Sequence, residues 1–228
     1  MNNSKLFLVI YVIAAILVLT AELMSLTTLN LFSKPVLMIS LIGWFASSTS
    51  RAAHPAYFLI AWALFFAWLG DVFLMFQTSQ PTFFIFGLGA FLISHLFYIV
   101  INRKLRIDQN ADSSNKPRLA RYNFFLLLIC LSLITVLQPN LSEMVVPVVI
   151  YAFTITFMTI SAMHRYGKTN NSSFWMVMIG ALLFMISDST IALNKFMEPI
   201  PYARIIIMIT YITAQFMIVK GFVNHVKE

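Results

Sequence analysis

The sequence predicts an all-α fold, a polytopic membrane bundle of eight transmembrane helices with both termini cytoplasmic. Three observations carry this expectation. Hydrophobic residues make up 60% of the 228 positions and charged residues only 10%, whereas a soluble domain carries roughly a quarter charged residues. The apolar residues fall in runs near the ~20 needed to cross a ~30 Å hydrocarbon core. The polar stretches between runs are too short to bury a core of their own, so a single domain spanning 1–228 is expected. The net charge of +7 sits mostly in those polar breaks, where membrane topology explains it, so nucleic acid is not an expected partner. Cys130 is the only cysteine and lies inside an apolar run, which leaves no intrachain disulfide and no thiolate metal cluster.

Taken in order, the runs are Leu6 to Thr27, Pro35 to Ser48, Pro55 to Phe76, Phe83 to Ile101, Tyr122 to Leu137, Met144 to Met163, Phe174 to Lys195 and Pro201 to Phe222. The first follows Lys5 and resembles a signal peptide, but Leu19 and Ala21 do not make the small-x-small cleavage pattern, so a retained helix is expected. The second is the shortest. Prolines 35, 55, 81, 139, 199 and 201 fall at or near run boundaries, where a missing N–H is cheap, and only Pro147 sits within a helix, near its start. With the N-terminus inside, the inner side holds twelve of the fifteen Lys and Arg residues and the outer side only Lys34, Lys195 and Arg204. The long polar connection from Asn102 to Arg121 divides the chain into four helices and four. A parallel repeat of 1–101 and 122–228 follows from the matched places of the two helices described next.

Asp71, in Leu69-Gly70-Asp71-Val72, and Asp188, in Ile186-Ser187-Asp188-Ser189, each follow a small residue inside an apolar run, third of four in each half. An ionised Asp at mid-bilayer costs about 3 kcal/mol on insertion scales, so two at matched positions point to one site. Hydrogen bonding between helices is the plainer account, but it contributes only ~0.6 kcal/mol on average and Ser or Asn would serve. The ~1.5 Å rise per residue puts both Asp roughly 7 to 11 Å below the outer helix ends. Glu22, Lys34 and Lys195 share that outer slab, and His95 with Tyr98 and Tyr211 with Gln215 lie deeper at one-face spacings. The expected picture is a cavity open outward, acidic below its mouth and hydrogen-bonding at its floor. Glu22 and Lys34 fit an ion pair tying the first hairpin as well as a catalytic or head-group role, and His95 fits packing better than catalysis.

An ordered set of short motifs carries a resemblance. It runs through Ala21-Glu22, Lys34-Pro35, Leu69 to Leu74 around Asp71, Phe86 to His95 with Tyr98, Gly180 to Ser189 around Asp188, Asn194-Lys195-Phe196, and Tyr211 with Gln215. The chain thereby resembles the YhhN family of integral membrane proteins, whose characterised members are lysoplasmalogenases. The resemblance implies eight helices and hydrolysis of the vinyl ether bond of a lysophospholipid, giving a fatty aldehyde and a glycerophospho-ethanolamine or -choline. That chemistry asks for one protonated carboxyl group and one carboxylate, roles that Asp71 and Asp188 can divide, with Glu22 a possible third. Lys34, Lys195 and Asn194 then hold the phosphate end, while His95, Tyr98, Tyr211 and Gln215 orient water or the glycerol hydroxyl. No cofactor or metal is required, and no His-Glu-x-x-His motif is present.

A proton- or ion-coupled transporter is the main rival, because intramembrane Asp, Glu, Lys and His also mark ion paths. The expected lack of a mid-helix proline speaks against it. A noncatalytic lipid-binding scaffold is the third reading. The expected location is a bacterial inner membrane; the oligomeric state is not legible.

Overall fold

The computed structural model describes residues 3–49, 56–105 and 116–226, with side chains from residue 121 onward in the last stretch. Eight α-helices account for them: α1 Asn3–Leu23, α2 Thr27–Ser48, α3 Tyr57–Met75, α4 Thr82–Lys104, α5 Lys116–Leu137, α6 Val145–Met163, α7 Asn171–Phe196 and α8 Ala203–Val226. Each includes or overlaps a stretch long and apolar enough to cross a membrane, and no strand occurs among the described residues. Arg51, Pro55, Lys227 and positions 106–115 of the polar connection, all used in the orientation and boundary arguments, lie outside the described residues.

One boundary needs correcting. The α1 helix stops at Leu23 and α2 starts at Thr27, so Pro35 sits inside α2 rather than at its start. The polar look of Thr27, Thr28, Asn30 and Ser33 reads as a loop, yet a proline removes only one N–H from the ladder, a loss that membrane helices tolerate when neighbours cover the freed carbonyl. The consequence is for Lys34. It stands seven residues into α2, about 10 Å along the helix from its start. Glu22 is next to the last residue of α1, at the mouth. Two other ends follow ordinary rules: the Asn170 side chain accepts from the Ser173 backbone N–H at 2.6 Å to cap α7, and Pro147 lies in the first turn of α6.

Helices α1 and α2, α3 and α4, and α7 and α8 pack as antiparallel hairpins. Helix α4 packs on α6 and α8 on α1 and α2, which closes the bundle around Leu41, Ile60, Leu64, Phe184, Ile218 and Phe222, while α5 lies at the edge with Phe124, Phe125 and Ile129 exposed. With lipid as the solvent, close backbone approach rather than water exclusion draws helices together. Gly70 shows it: a Cβ there would come within 2.6 Å of the Phe91 ring, so α4 can lie against α3 only because position 70 has none. At the end that carries the termini, Arg165 is fully buried and holds three helices. Its Nη2 donates to Ser173 Oγ at 2.5 Å, its Nη1 to Asn102 Oδ1 at 3.3 Å, and its guanidinium lies 5.2 Å from the Phe222 ring centre.

Candidate functional site

Asp71 lies in the last turns of α3, where Gly70 lets the Phe91 ring press in, and the residue is 2% exposed. Two groups from other helices meet it. Tyr211 of α8 donates its hydroxyl to Oδ2 at 2.5 Å, and Lys34 Nζ of α2 stands 3.8 Å from Oδ1. Asp188, on α7, is met in a parallel way: Tyr151 of α6 donates to its Oδ2 at 2.5 Å, and His95 Nε2 of α4 lies 3.9 Å away. The other ring nitrogen of His95, Nδ1, bonds the Phe91 carbonyl. A carbonyl only accepts, so Nδ1 carries the hydrogen and, in the neutral ring, Nε2 offers its lone pair toward Asp188. That Nε2 has no hydrogen bond.

Aromatic rings pack around the partners of the two carboxyl groups. Phe184 stands edge-on to Tyr211 at 5.5 Å and to His95 at 4.7 Å between centres, and Phe91 is edge-on to both Phe184 and Tyr211. Rings that fill this space keep water from screening either charge.

Two cavities reach the site. One, of about 450 Å³, opens at the face opposite the termini and is lined by Glu22, Asn30, Lys34, Asn194, Lys195 and Arg204 among others. The second is a crevice of about 40 Å³ with Asp188 and Tyr151 in a wall otherwise made of Phe84, Leu88, Phe91 and Phe196 and their apolar neighbours. Leu74 and Ile191 line both, so the crevice and the polar cavity lie on either side of these two residues.

The residues expected from sequence therefore divide. Asp71 with Lys34 and Tyr211, and Asp188 with His95, form the centre; Glu22, Asn194 and Lys195 ring the mouth. Asn194 also accepts from the Ile200 backbone N–H at 2.9 Å, and Lys195 holds its ammonium 4.2 Å from the Phe84 ring centre. Tyr98 donates to Gln215 at 2.9 Å, both buried, and neither lines either cavity. Sequence reading missed Tyr151. Its hydroxyl is invisible in an apolar run because its partner lies 37 residues away on another helix. Arg204 was legible as an outer cation but not as a cavity residue. Among the described residues no three His, Cys, Asp or Glu side chains gather as a metal would need.

The YhhN family model matches residues 29–222. The chain belongs to the YhhN family. It is 33% identical over 170 residues to the human lysoplasmalogenase TMEM86A, a match covering 73% of the chain and 65% of that protein, and 32% identical over 169 residues to the bovine one, covering 72% and 65%. To the human lysoplasmalogenase TMEM86B it is 31% identical over 188 residues, 81% of the chain and 70% of that protein. The chain thus spans just under two thirds of the TMEM86A relatives' length. No solved structure matches it.

Proposed function

We propose that this family member is a membrane-embedded lysoplasmalogen hydrolase, in which Asp188 and Asp71 do the acid and carboxylate work. The observation that carries the reading is the placement of Asp188: a carboxyl group in the wall of a narrow apolar crevice that adjoins a cation-rich polar cavity at Leu74 and Ile191. An amphiphile with a phosphate head and an alkenyl tail matches that division. Its head sits among Lys195 and Arg204, its vinyl ether reaches the crevice at Leu74 and Ile191, and the rest of the tail runs out along the apolar helix faces.

The chemistry is acid hydrolysis of an enol ether. Asp188 gives its proton to the β-carbon of the C=C–O unit, and the adjacent carbon becomes an oxocarbenium ion beside the new carboxylate. One water adds to that carbon and returns a proton to Asp188, directly or through His95 Nε2, 3.9 Å from it. The hemiacetal then collapses to aldehyde and the free glycerol hydroxyl, so one water is consumed and the acid is restored. Asp71 is the standing carboxylate of the pair, because Lys34 supplies it with a counter-charge while Asp188 has a phenol and an imidazole. Its charge favours the cation across the ring cluster. Tyr151 and Tyr211 fix the orientation of the two carboxyl groups.

Aldehyde release from a lysoplasmalogen by the purified protein, with Asp188→Asn and Asp71→Asn each checked by thermal melt, is the test. Folded variants are expected to lose at least ~100-fold in turnover, the scale at which a positioned acid contributes. A folded but inert wild type would overturn the substrate assignment.

One observation favours the transport reading: Pro35 leaves one N–H out of the continuous α2 ladder beside Lys34, and carriers place helix irregularities near their ion sites. Proton flux into liposomes that depends on Asp71 and occurs without aldehyde release would select it. For either activity, the excess of Lys and Arg on the side of the termini supports a cytoplasmic position for both, and an inner bacterial membrane is the proposed location.

A further inference from the structure

One cation of the polar cavity also touches the crevice. Lys195 lines the cavity, and its ammonium stands 4.2 Å from the centre of the Phe84 ring, which is part of the crevice wall. No described carboxylate lies within ion-pair distance of Lys195, so its charge rests on that ring. Phe84 in turn meets Phe196 edge-on, 6.0 Å between centres, and Phe196 follows Lys195 as the last residue of α7. The crevice that these rings help to bound has a volume of about 40 Å³, the scale of one or two water molecules. An alkenyl chain needs more, so the crevice must widen before a vinyl ether can lie against Asp188. Two other rings of its wall are held in place, Tyr151 by its bond to Asp188 and Phe91 by Phe184 and Tyr211. Phe84 and Phe196 differ from them, since each sits at a helix end, in the first turn of α4 and the last of α7.

We propose that Lys195 latches Phe84 and Phe196 across the crevice, and that a phosphate seated in the polar cavity draws the ammonium away and lets the crevice open. The inference rests on the lysolipid reading of the two cavities and adds that capture of the head group controls access to the acid. An ammonium over a ring face is held more weakly than one that donates charge-assisted hydrogen bonds to a phosphate oxygen, so the phosphate takes it. The four-carbon stem of lysine is flexible enough to turn its head from the ring to the cavity. Arg204 lines the same cavity and makes no described ring contact, so it can hold the phosphate without moving the latch. Binding energy from the head group, remote from the reacting bond, is thereby used to bring that bond to Asp188.

The test supplies the substrate in two pieces. The purified full chain is given a 1-O-alkenylglycerol, which has the vinyl ether and the tail but no phosphate. Aldehyde release is followed with inorganic phosphate or with chloride at the same ionic strength. Phosphate is expected to raise turnover about fivefold, the equivalent of ~1 kcal/mol off the barrier and the scale of one cation–π contact. Lys195→Gln, checked by thermal melt, is expected to cleave the headless substrate at the phosphate-activated rate and to respond to phosphate no further, although it binds the complete lysolipid more weakly. A lysine that only holds the head group would leave headless turnover unchanged by the anion and by the substitution. That result, with lysoplasmalogen still cleaved, would overturn the latch and keep the hydrolase. A second readout needs no turnover: in a Cys130→Ala chain, Ala192→Cys places a thiol in the crevice wall, and phosphate is expected to speed its alkylation by N-ethylmaleimide by a similar factor. Faster alkylation without aldehyde release from any substrate leaves the latch standing and sinks the reaction; an unchanged alkylation rate sinks the latch whatever the turnover.

Discussion

Removing the Lys34 ammonium leaves Asp71 buried with one hydrogen bond, from Tyr211, and no counter-charge. Breaking one side of a buried ion pair costs 3 to 5 kcal/mol, and the 3.8 Å separation and partial exposure of Lys34 reduce that. Lys34→Met is therefore expected to lower stability by roughly 2 to 3 kcal/mol. Lys34→Met with Asp71→Asn should recover most of the loss, because the second change removes the stranded charge. Thermal denaturation in detergent reads both. Tyr151 tests the other carboxyl group: Tyr151→Phe keeps the ring against His95 and deletes only the donor to Asp188. Turnover should fall about tenfold, a barrier change of ~1.4 kcal/mol, with the melt lowered by no more than the loss of one hydrogen bond, roughly 1 kcal/mol. At this scale the carboxylates and Lys34 could be read from sequence, because a charge in an apolar run is costly wherever it points. Tyr151 could not, since a tyrosine in such a run is equally at home as packing and only the fold reveals the carboxylate beside it.

Helix boundaries show how local pattern and environment compete. The α2 start was hidden by four polar residues and a proline, signals that end helices in water. In a bundle the backbone must satisfy itself, so the helix runs through Pro35. That extension lowers Lys34 to the depth of Asp71, and the pair in turn ties α2 to α3. Gly70 does the same for α3 and α4. Phe91 cannot retreat from a new methyl group, since Phe184 and Tyr211 stand edge-on against it. Gly70→Ala is thus expected to force α4 outward, cost about 1 to 3 kcal/mol as overpacking does, and carry His95 away from Asp188. Loss of turnover beyond the loss of folded protein, measured on the same preparation, would show that displacement. A variant as stable and active as wild type would show that the ring can move after all.

The two halves of the chain bring similar groups to similar places. Asp71 and Asp188 stand 117 apart, and so do Lys34 and Tyr151, the residues of α2 and α6 that meet them. Helix α4 packs on α6 and α8 on α2, again equivalent under that shift. Tyr98 and Gln215 are separated by the same 117 positions and hydrogen-bond to each other. Residues exchanged by a two-fold rotation can touch only near its axis, so this bond supports the reading that 1–101 and 122–228 are a repeated four-helix unit, with an axis along the membrane normal passing between Tyr98 and Gln215. On that reading the sequence signal of a repeat is faint because positions 117 apart hold different residues, Lys34 against Tyr151 and Tyr98 against Gln215. On the same reading, divergence at positions 34 and 151 contributes to the asymmetry of the site, where Asp71 has an ammonium and a phenol beside it and Asp188 an imidazole and a phenol. The axis has a direct test. Tyr98→Gln and Gln215→Tyr should each destabilise the protein by about 1 to 3 kcal/mol, because each replaces a satisfied buried pair with two like groups in unequal space. On an axis the double exchange rebuilds the same phenol-to-amide bond with its direction reversed. The two changes should then couple favourably by at least ~1 kcal/mol in a double-mutant cycle of thermal unfolding, whereas simple addition of the two losses would mean that the halves share a spacing but not a symmetry.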